Sequence, residues 1–266
     1  IIGAGLIGLK CAEALHHLNA DITVVDLADR ILPSILDVRA GEIMQKHIED
    51  KGTKFILGTS VEQFSRNSAK LTNGETVDFD ILVIAVGVRP NTELVSDAGG
   101  KVEKGIITDL HQQTTIDNVY AAGDCTVSHD CSSNTDRILA LLPNAFMQGE
   151  VAGKNMAGGG TRYLNAIPMN AIGFYGLHII TAGSYDGDED ITEDADKEIY
   201  KKLVFKDGLL KGFILMGDVA RAGIYTSMIK EQIPLTEVDL DLLRDKPQMM
   251  MFGKARREEK LAGKKH

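Results

Sequence analysis

An α/β unit followed by a smaller α+β unit is what three features of the 266-residue chain predict. A glycine-rich turn, "GAGLIG", stands between an apolar pair and a helical pattern. An all-apolar run, "ILVIAVGV", occupies 81–88, the composition of a strand covered on both faces of a parallel sheet. Strand-like runs joined by Asn73-Gly74 and by Asp207-Gly208 lie before and after a long helical pattern, and both dipeptides favour hairpin turns.

The elements follow in order. After the glycines, Leu6, Leu9, Ala14, Leu15 and Leu18 recur near helical spacing, and Asn19 marks an end. "DITVVD" reads as a short buried strand, "DVRAGEIMQKHIEDKG" as an amphipathic helix stopped by Gly52, and "KFILG" as the next strand. The stretch 89–126 is rich in turns and short strands and contains "NVYAAGD". A helix is expected over about 140–157, closed by Gly158 to Gly160. "IPMNAIGFYGLHIITAG" and "EIYKKLVFKDGLLKGFILMGD" read as strands, a helix spans about 220–231, and "KARREEKLAGKKH" reads as a frayed tail. No internal repeat is visible.

A net charge of -9 argues against nucleic acid or an anionic membrane as partner, because phosphates meet a repulsive average field. The longest apolar runs fall short of the roughly 20 residues of a membrane-spanning helix. Three scattered cysteines, Cys11, Cys125 and Cys131, make no disulfide framework and point to a reducing, cytoplasmic compartment.

Gly3, Gly5 and Gly8 have the G-x-G-x-x-G spacing of a dinucleotide-binding turn. Gly3 permits the tight turn, Gly5 the approach of a pyrophosphate and Gly8 close helix packing, while the helix N-terminus, with Leu6 and Ile7, supplies donors. The order strand, turn, helix, strand, acidic residue is the context that gives the motif meaning, and it makes a Rossmann-type unit. Asp26, eighteen residues after Gly8, is placed to accept hydrogen bonds from an adenosine ribose and to repel a 2'-phosphate, favouring NAD(H) over NADP(H). Only Ile1 and Ile2 precede the turn, so most of its leading strand is expected upstream.

Other patterns carry less. "DGDEDITEDAD" mimics the start of a calcium loop, but Ile191 stands where that loop needs glycine and Lys197 where it needs a bidentate glutamate, so a solvated loop and no metal are expected. Cys125 and Cys131 fit no zinc or redox spacing and read as structural thiols. The histidines, the pair His16-His17 included, show no ligand pattern. No tyrosine has the Tyr-x-x-x-Lys spacing of a short-chain dehydrogenase, and no general acid, base or nucleophile can be named.

With "ILVIAVGVRPN" and "NVYAAGDC" added to the glycine turn, residues 1–160 resemble the pyridine nucleotide-disulfide oxidoreductases, flavoproteins with two dinucleotide sites. The later strands and "ILALLPNAFMQGEVAGKNMAGG" resemble NADH:rubredoxin reductases and related NADH oxidase or nitrite reductase-like flavoproteins. The resemblance implies an NAD(H)-binding domain at 1–87, the C-terminal portion of an FAD-binding domain at 88–160, a dimerising α+β domain at 161–240 and a tail at 241–266. It implies that Ala85, Val86 and Gly87 border the nucleotide, that Gly123 and Asp124 face the flavin, and that Pro143 and Asn144 approach its ring. Such relatives begin with a further FAD-binding segment, so the chain is expected to be a fragment. Lys10 departs from the pattern: many relatives have a glutamate there, near the nicotinamide, and the alternative is a solvent-facing helix residue.

The implied activity is that of an FAD-dependent enzyme in which hydride passes from NADH to flavin and electrons go on to a second acceptor: a small carrier protein, oxygen or a disulfide. Implied too is a homodimer. The alternative is a non-catalytic NAD-binding module.

Overall fold

The structure, a computed structural model, describes residues 1–262. They divide into two units: Ile1–Val88 with Ala171–Ile179 and Asp194–Tyr200, and Arg89–Asn170 with Ile180–Glu193 and the chain from Lys201.

In the first unit, helix α1 (Leu6–His16) leads to β1 (Thr23–Val25), α2 (Val38–Glu49) and β2 (Lys54–Ile56). β1 and β2 pair in parallel, and Ile2 bridges in parallel to Val25 on one side and to Ile84 on the other. The sheet thus runs from the stretch around Ile84 through Ile2 to β1 and β2, the layout the glycine turn requires. Asp37 caps α2 by accepting from Ala40 N at 2.9 Å, and Met44 and Ile48 on its apolar face are fully buried, as are Leu9, Val24 and Ile31 in the same unit. A three-stranded antiparallel sheet follows: β3 (Val61–Phe64), β4 (Ser68–Leu71) and β5 (Thr76–Asp78), with Asn73-Gly74 turning between the last two.

The run 81–88 differs from expectation. It forms a single bridge at Ile84, and Ile81, Ile84, Val86 and Val88 are exposed. A ladder extends only as far as its partner, and the partner here is the short Ile1-Ile2 stretch, which bonds to Val83 O and Ala85 N, 2.8 Å each.

The second unit begins with α3 (Glu93–Ser96) and a sheet of β6 (Ile106–Ile107), β7 (Thr126–Asp130) and β8 (Thr135–Ile138), followed by α4 (Leu142–Met156). A five-stranded sheet has the order β11-β12-β13-β10-β9, built from β9 (Met169–Phe174), β10 (Leu177–Gly183), β11 (Asp188–Asp194), β12 (Ile199–Lys206) and β13 (Leu209–Met216), of which the segments 171–179 and 194–200 are counted with the first unit. Helix α5 (Ala222–Lys230) contributes Tyr225, Met228 and Ile229 to the core around Phe213, and the Tyr225 hydroxyl donates to Leu243 O at 2.8 Å.

Two expectations fail in this unit. The acidic run is no loop: β11 is an edge strand, and its carboxylates are paired, Glu189 with Lys202 and Asp190 with Arg244. Neutralised in this way, the row of like charges is compatible with strand pairing and still discourages edge-to-edge association. Nor do residues 241–262 form a tail. Helix α6 (Leu240–Asp245) and the turn Met249–Met251 bury Leu243, Met251 and Phe252 in the core. Helix α7 (Lys254–Ala262) is fastened by Arg256 to Glu237 at 2.6 Å and by Lys260 to Glu231 at 2.9 Å. The partners of Arg256 and Lys260 lie outside "KARREEKLA", which is why the stretch alone reads as frayed. The expectation for its last four residues, 263–266, lies outside the described residues.

Candidate dinucleotide site

The glycine turn is shaped by contacts between backbones. A Cβ on Gly3, which has φ +110, would stand 2.3 Å from Ala85 O, so the "AVG" stretch crosses where only glycine leaves room. A Cβ on Gly8 would collide with Gly3 O, which lets α1 start directly against the turn. Gly5 is different: its backbone is extended, and a Cβ there would meet nothing within 4 Å. The space it faces is a cavity of about 700 Å³, whose walls include Gly3, Gly5, Leu6, Ile7, Asp26, Ala85, Val86 and Gly87. Gly5 is also the N-cap of α1 and gives no side-chain cap hydrogen bond, so the first-turn N–H groups face this space without a side-chain acceptor at the cap.

Asp26 is turned inward. Its Oδ2 accepts from Ala4 N at 2.5 Å and its Oδ1 from Ala28 N at 2.8 Å, so the carboxylate ties the glycine turn to the loop after β1. It lines the cavity and keeps further lone pairs for a hydroxyl donor. A cavity wall that a Cβ would occupy, an open helix N-terminus and a half-buried carboxylate fit a dinucleotide: Gly5, Leu6 and Ile7 would hold the pyrophosphate and Asp26 the ribose.

Sequence reasoning passed over Leu27, Pro33, Ser34, Thr59, Ser60 and Val88 in the same walls. Thr59 and Ser60 were within reach of it, because they follow the carboxyl end of β2, where ligands of open α/β sheets collect.

The other four expected residues lie in the second unit. Gly123 N donates to Gln148 Oε1 at 2.6 Å, and its α-carbon faces Ala145 in the first turn of α4. Asp124 and Pro143 are exposed. Asn144 is fully buried and engaged, donating to Ile167 O at 3.0 Å and accepting from the Tyr163 hydroxyl at 2.7 Å. With Gly123 N–H and both polar groups of Asn144 committed inside the protein, this donor set does not by itself make a flavin site. The cysteines are free thiols, and burial pushes the Cys131 thiol up from its ordinary value, with the charge of Asp130 adding to the effect. Among the described residues no cluster of His, Cys, Asp and Glu is placed to hold a metal ion, and no helix is long and apolar enough to cross a membrane.

The parallel sheet, the glycine turn and the cavity at the strand ends define a dinucleotide-binding α/β protein. The chain belongs to the pyridine nucleotide-disulphide oxidoreductase family, which matches residues 1–149, and residues 168–233 match the rubredoxin NAD+ reductase C-terminal domain. The NADH-dependent phenylglyoxylate dehydrogenase subunit epsilon of Aromatoleum evansii is 33% identical over 89% of this chain and 58% of its own length. The rubredoxin-NAD(+) reductase of Acinetobacter baylyi is 30% identical over 91% of this chain and 60% of its own. The NAD-dependent persulfide reductase from A. fulgidus superposes with a TM-score of 0.80 at 26% identity, covering 89% of this chain and 49% of that one. The chain therefore spans about half to three fifths of the length of these relatives.

Proposed function

We propose that this chain is the nucleotide-accepting part of an FAD-dependent NADH oxidoreductase that passes electrons to a second acceptor. The observation that carries the reading is the open side of Gly5, facing a cavity beside the first turn of α1. When bound, the nicotinamide supplies a hydride that a flavin accepts. The residues of this chain bind and orient: Gly3, Gly5, Leu6, Ile7 and Gly8 form the turn and its donors, Asp26 holds the turn and meets the ribose, and Ala85 to Gly87 border the opposite wall.

Of the domains at 1–87, 88–160 and 161–240 that belong to this reading, the boundary between compact units at Val88 supports the first, while 171–179 and 194–200 group with it. FAD enters through family membership; Gly123, Asp124, Pro143 and Asn144 would form one border of its site. The match to a rubredoxin reductase domain supports a small electron-carrier protein as acceptor. A homodimer and a cytoplasmic setting complete the proposal, and the free cysteines accord with the latter.

Fluorescence titration with NADH and NADPH tests the reading. NADH is expected to bind more tightly, and Asp26→Arg to narrow the preference; a chain that binds neither nucleotide overturns it. The internal engagement of Asn144 and Gly123 favours a second reading, an NAD-binding module without catalysis. NADH oxidation in the presence of FAD and a dye acceptor separates the two, since the module leaves NADH unconsumed.

A further inference from the structure

The hairpin between β9 and β10 turns on Tyr175 and Gly176, with φ +49 and +90. Both positions of such a turn have left-handed backbone, where Asn-Gly is the favoured pair. A tyrosine there is strained, and a residue kept in that conformation is held by its surroundings.

The surroundings of Tyr175 are specific, and all of them belong to the first unit. Its N–H donates to Glu13 Oε1 at 2.6 Å, its carbonyl lies 3.3 Å from His47 Nε2, its hydroxyl lies 3.4 Å from Thr53 Oγ1, and His16 meets its ring edge-on at 5.3 Å. Beside it, Lys10 Nζ donates to Gly173 O at 2.6 Å, pairs with Glu13 at 2.5 Å and stands over the Phe174 ring. Glu198, a second residue with positive φ, takes the other side of His47, 2.9 Å from Nδ1.

Lys10, Glu13 and His16 are spaced three apart on α1, so the hairpin grips one stripe along the helix. None of the three lines the nucleotide cavity, yet the N-terminus of that helix is its wall. An 11-residue helix is a stiff rod of about 16 Å, and fixing its second and third turns fixes where its first-turn N–H groups point. Anion donors serve only within about half an ångström of their working positions.

We propose that Tyr175 is a positioning residue for the dinucleotide, acting through α1 by way of Glu13 and His16. The proposal rests on the NADH-binding reading above. It also gives Lys10 a role: with its ammonium on Gly173 and Glu13 and over Phe174, it is a strut between helix and hairpin.

Fluorescence titration of the full 266-residue chain with NADH, alongside its thermal midpoint, tests this in Tyr175→Asn and Tyr175→Phe. Asparagine suits the turn but removes the ring and hydroxyl; the thermal midpoint is expected to hold or rise while NADH affinity falls by roughly fivefold or more. Amide exchange over residues 6–16 rises in the same variant. Phenylalanine keeps the ring and both backbone contacts and restores affinity to within about twofold. Should Tyr175→Asn fail to fold, His16→Ala cuts the ring contact from the helix side, and the same loss of affinity is expected. A folded variant with unchanged affinity overturns the proposal, as does one whose midpoint and affinity fall together, the mark of a merely structural turn. An unaltered chain that binds no NADH overturns the nucleotide reading itself and this inference with it.

Discussion

Gly5 and Gly8 stand three residues apart, and substitution separates what they do. Gly5→Ala puts a methyl group into open cavity on a backbone that alanine adopts, so it is expected to cost at most about 1 kcal/mol of stability while NADH affinity falls at least tenfold. Gly8→Ala drives its methyl group into Gly3 O and is expected to cost roughly 2–3 kcal/mol, read by denaturant unfolding. Equal effects of the two on stability would contradict the assignment. The thiols differ as sharply. Cys131 is buried and its thiol is pushed up, first by burial, whereas Cys11 and Cys125 are partly exposed, so iodoacetamide at neutral pH is expected to label Cys131 last by mass spectrometry. At this scale the glycines were legible because the turn's demands are local and fall at fixed spacing. Asn144 was not: its partners, Tyr163 and Ile167, lie 19 and 23 residues away, and no local pattern announces a buried amide that is fully satisfied.

Among the elements, the junction of α1 with the hairpin carries a pH signature. Burial pushes the Glu13 carboxyl up, but hydrogen bonds from Lys10 and Tyr175 N–H, with the charges of Lys10 and His17, outweigh it and leave the group below its ordinary 4.5. A folded-state value below the unfolded one means the stabilisation is fully present above the ordinary value and is lost as pH falls through the folded one. Acid titration followed by exchange over residues 6–16 and 173–177 is expected to show loosening in that window, and Glu13→Gln to remove the step. The hairpin at Asp207-Gly208 was legible because both residues take the left-handed backbone the pair favours; at Asn73-Gly74 only Gly74 does, and Asn73 Oδ1 accepts from Glu75 N at 3.0 Å in a longer turn. The acidic strand β11 and the hairpin of β7 and β8 were not. The lysine and arginine that let β11 pair are distant in sequence, and β7 alternates buried and partly buried positions in residues of ordinary polarity.

The nucleotide unit is discontinuous in sequence, since 171–179 and 194–200 belong with 1–88. Periodicity has no means of announcing this; the joins are single side chains. His47 is nearly buried between Tyr175 O and Glu198, and Tyr200, 1% exposed, donates to Asp37 Oδ2 at 2.7 Å, the same carboxyl that caps α2. A chain cut after Gly160 keeps every residue of the cavity walls and loses both joins. Counting only these two buried groups at roughly 1 kcal/mol each, and 4–8 °C for each kcal/mol in a unit of about a hundred residues, the first unit is expected to melt on the order of 10 °C lower. The N-terminal turn of α2, where Asp37 keeps its cap but loses the Tyr200 hydroxyl, and the stripe Lys10, Glu13 and His16 should show the largest rise in amide exchange. A midpoint and exchange pattern unchanged by the cut would make the two returning segments passengers, and would require the geometry of α1 to be set by 1–88 alone.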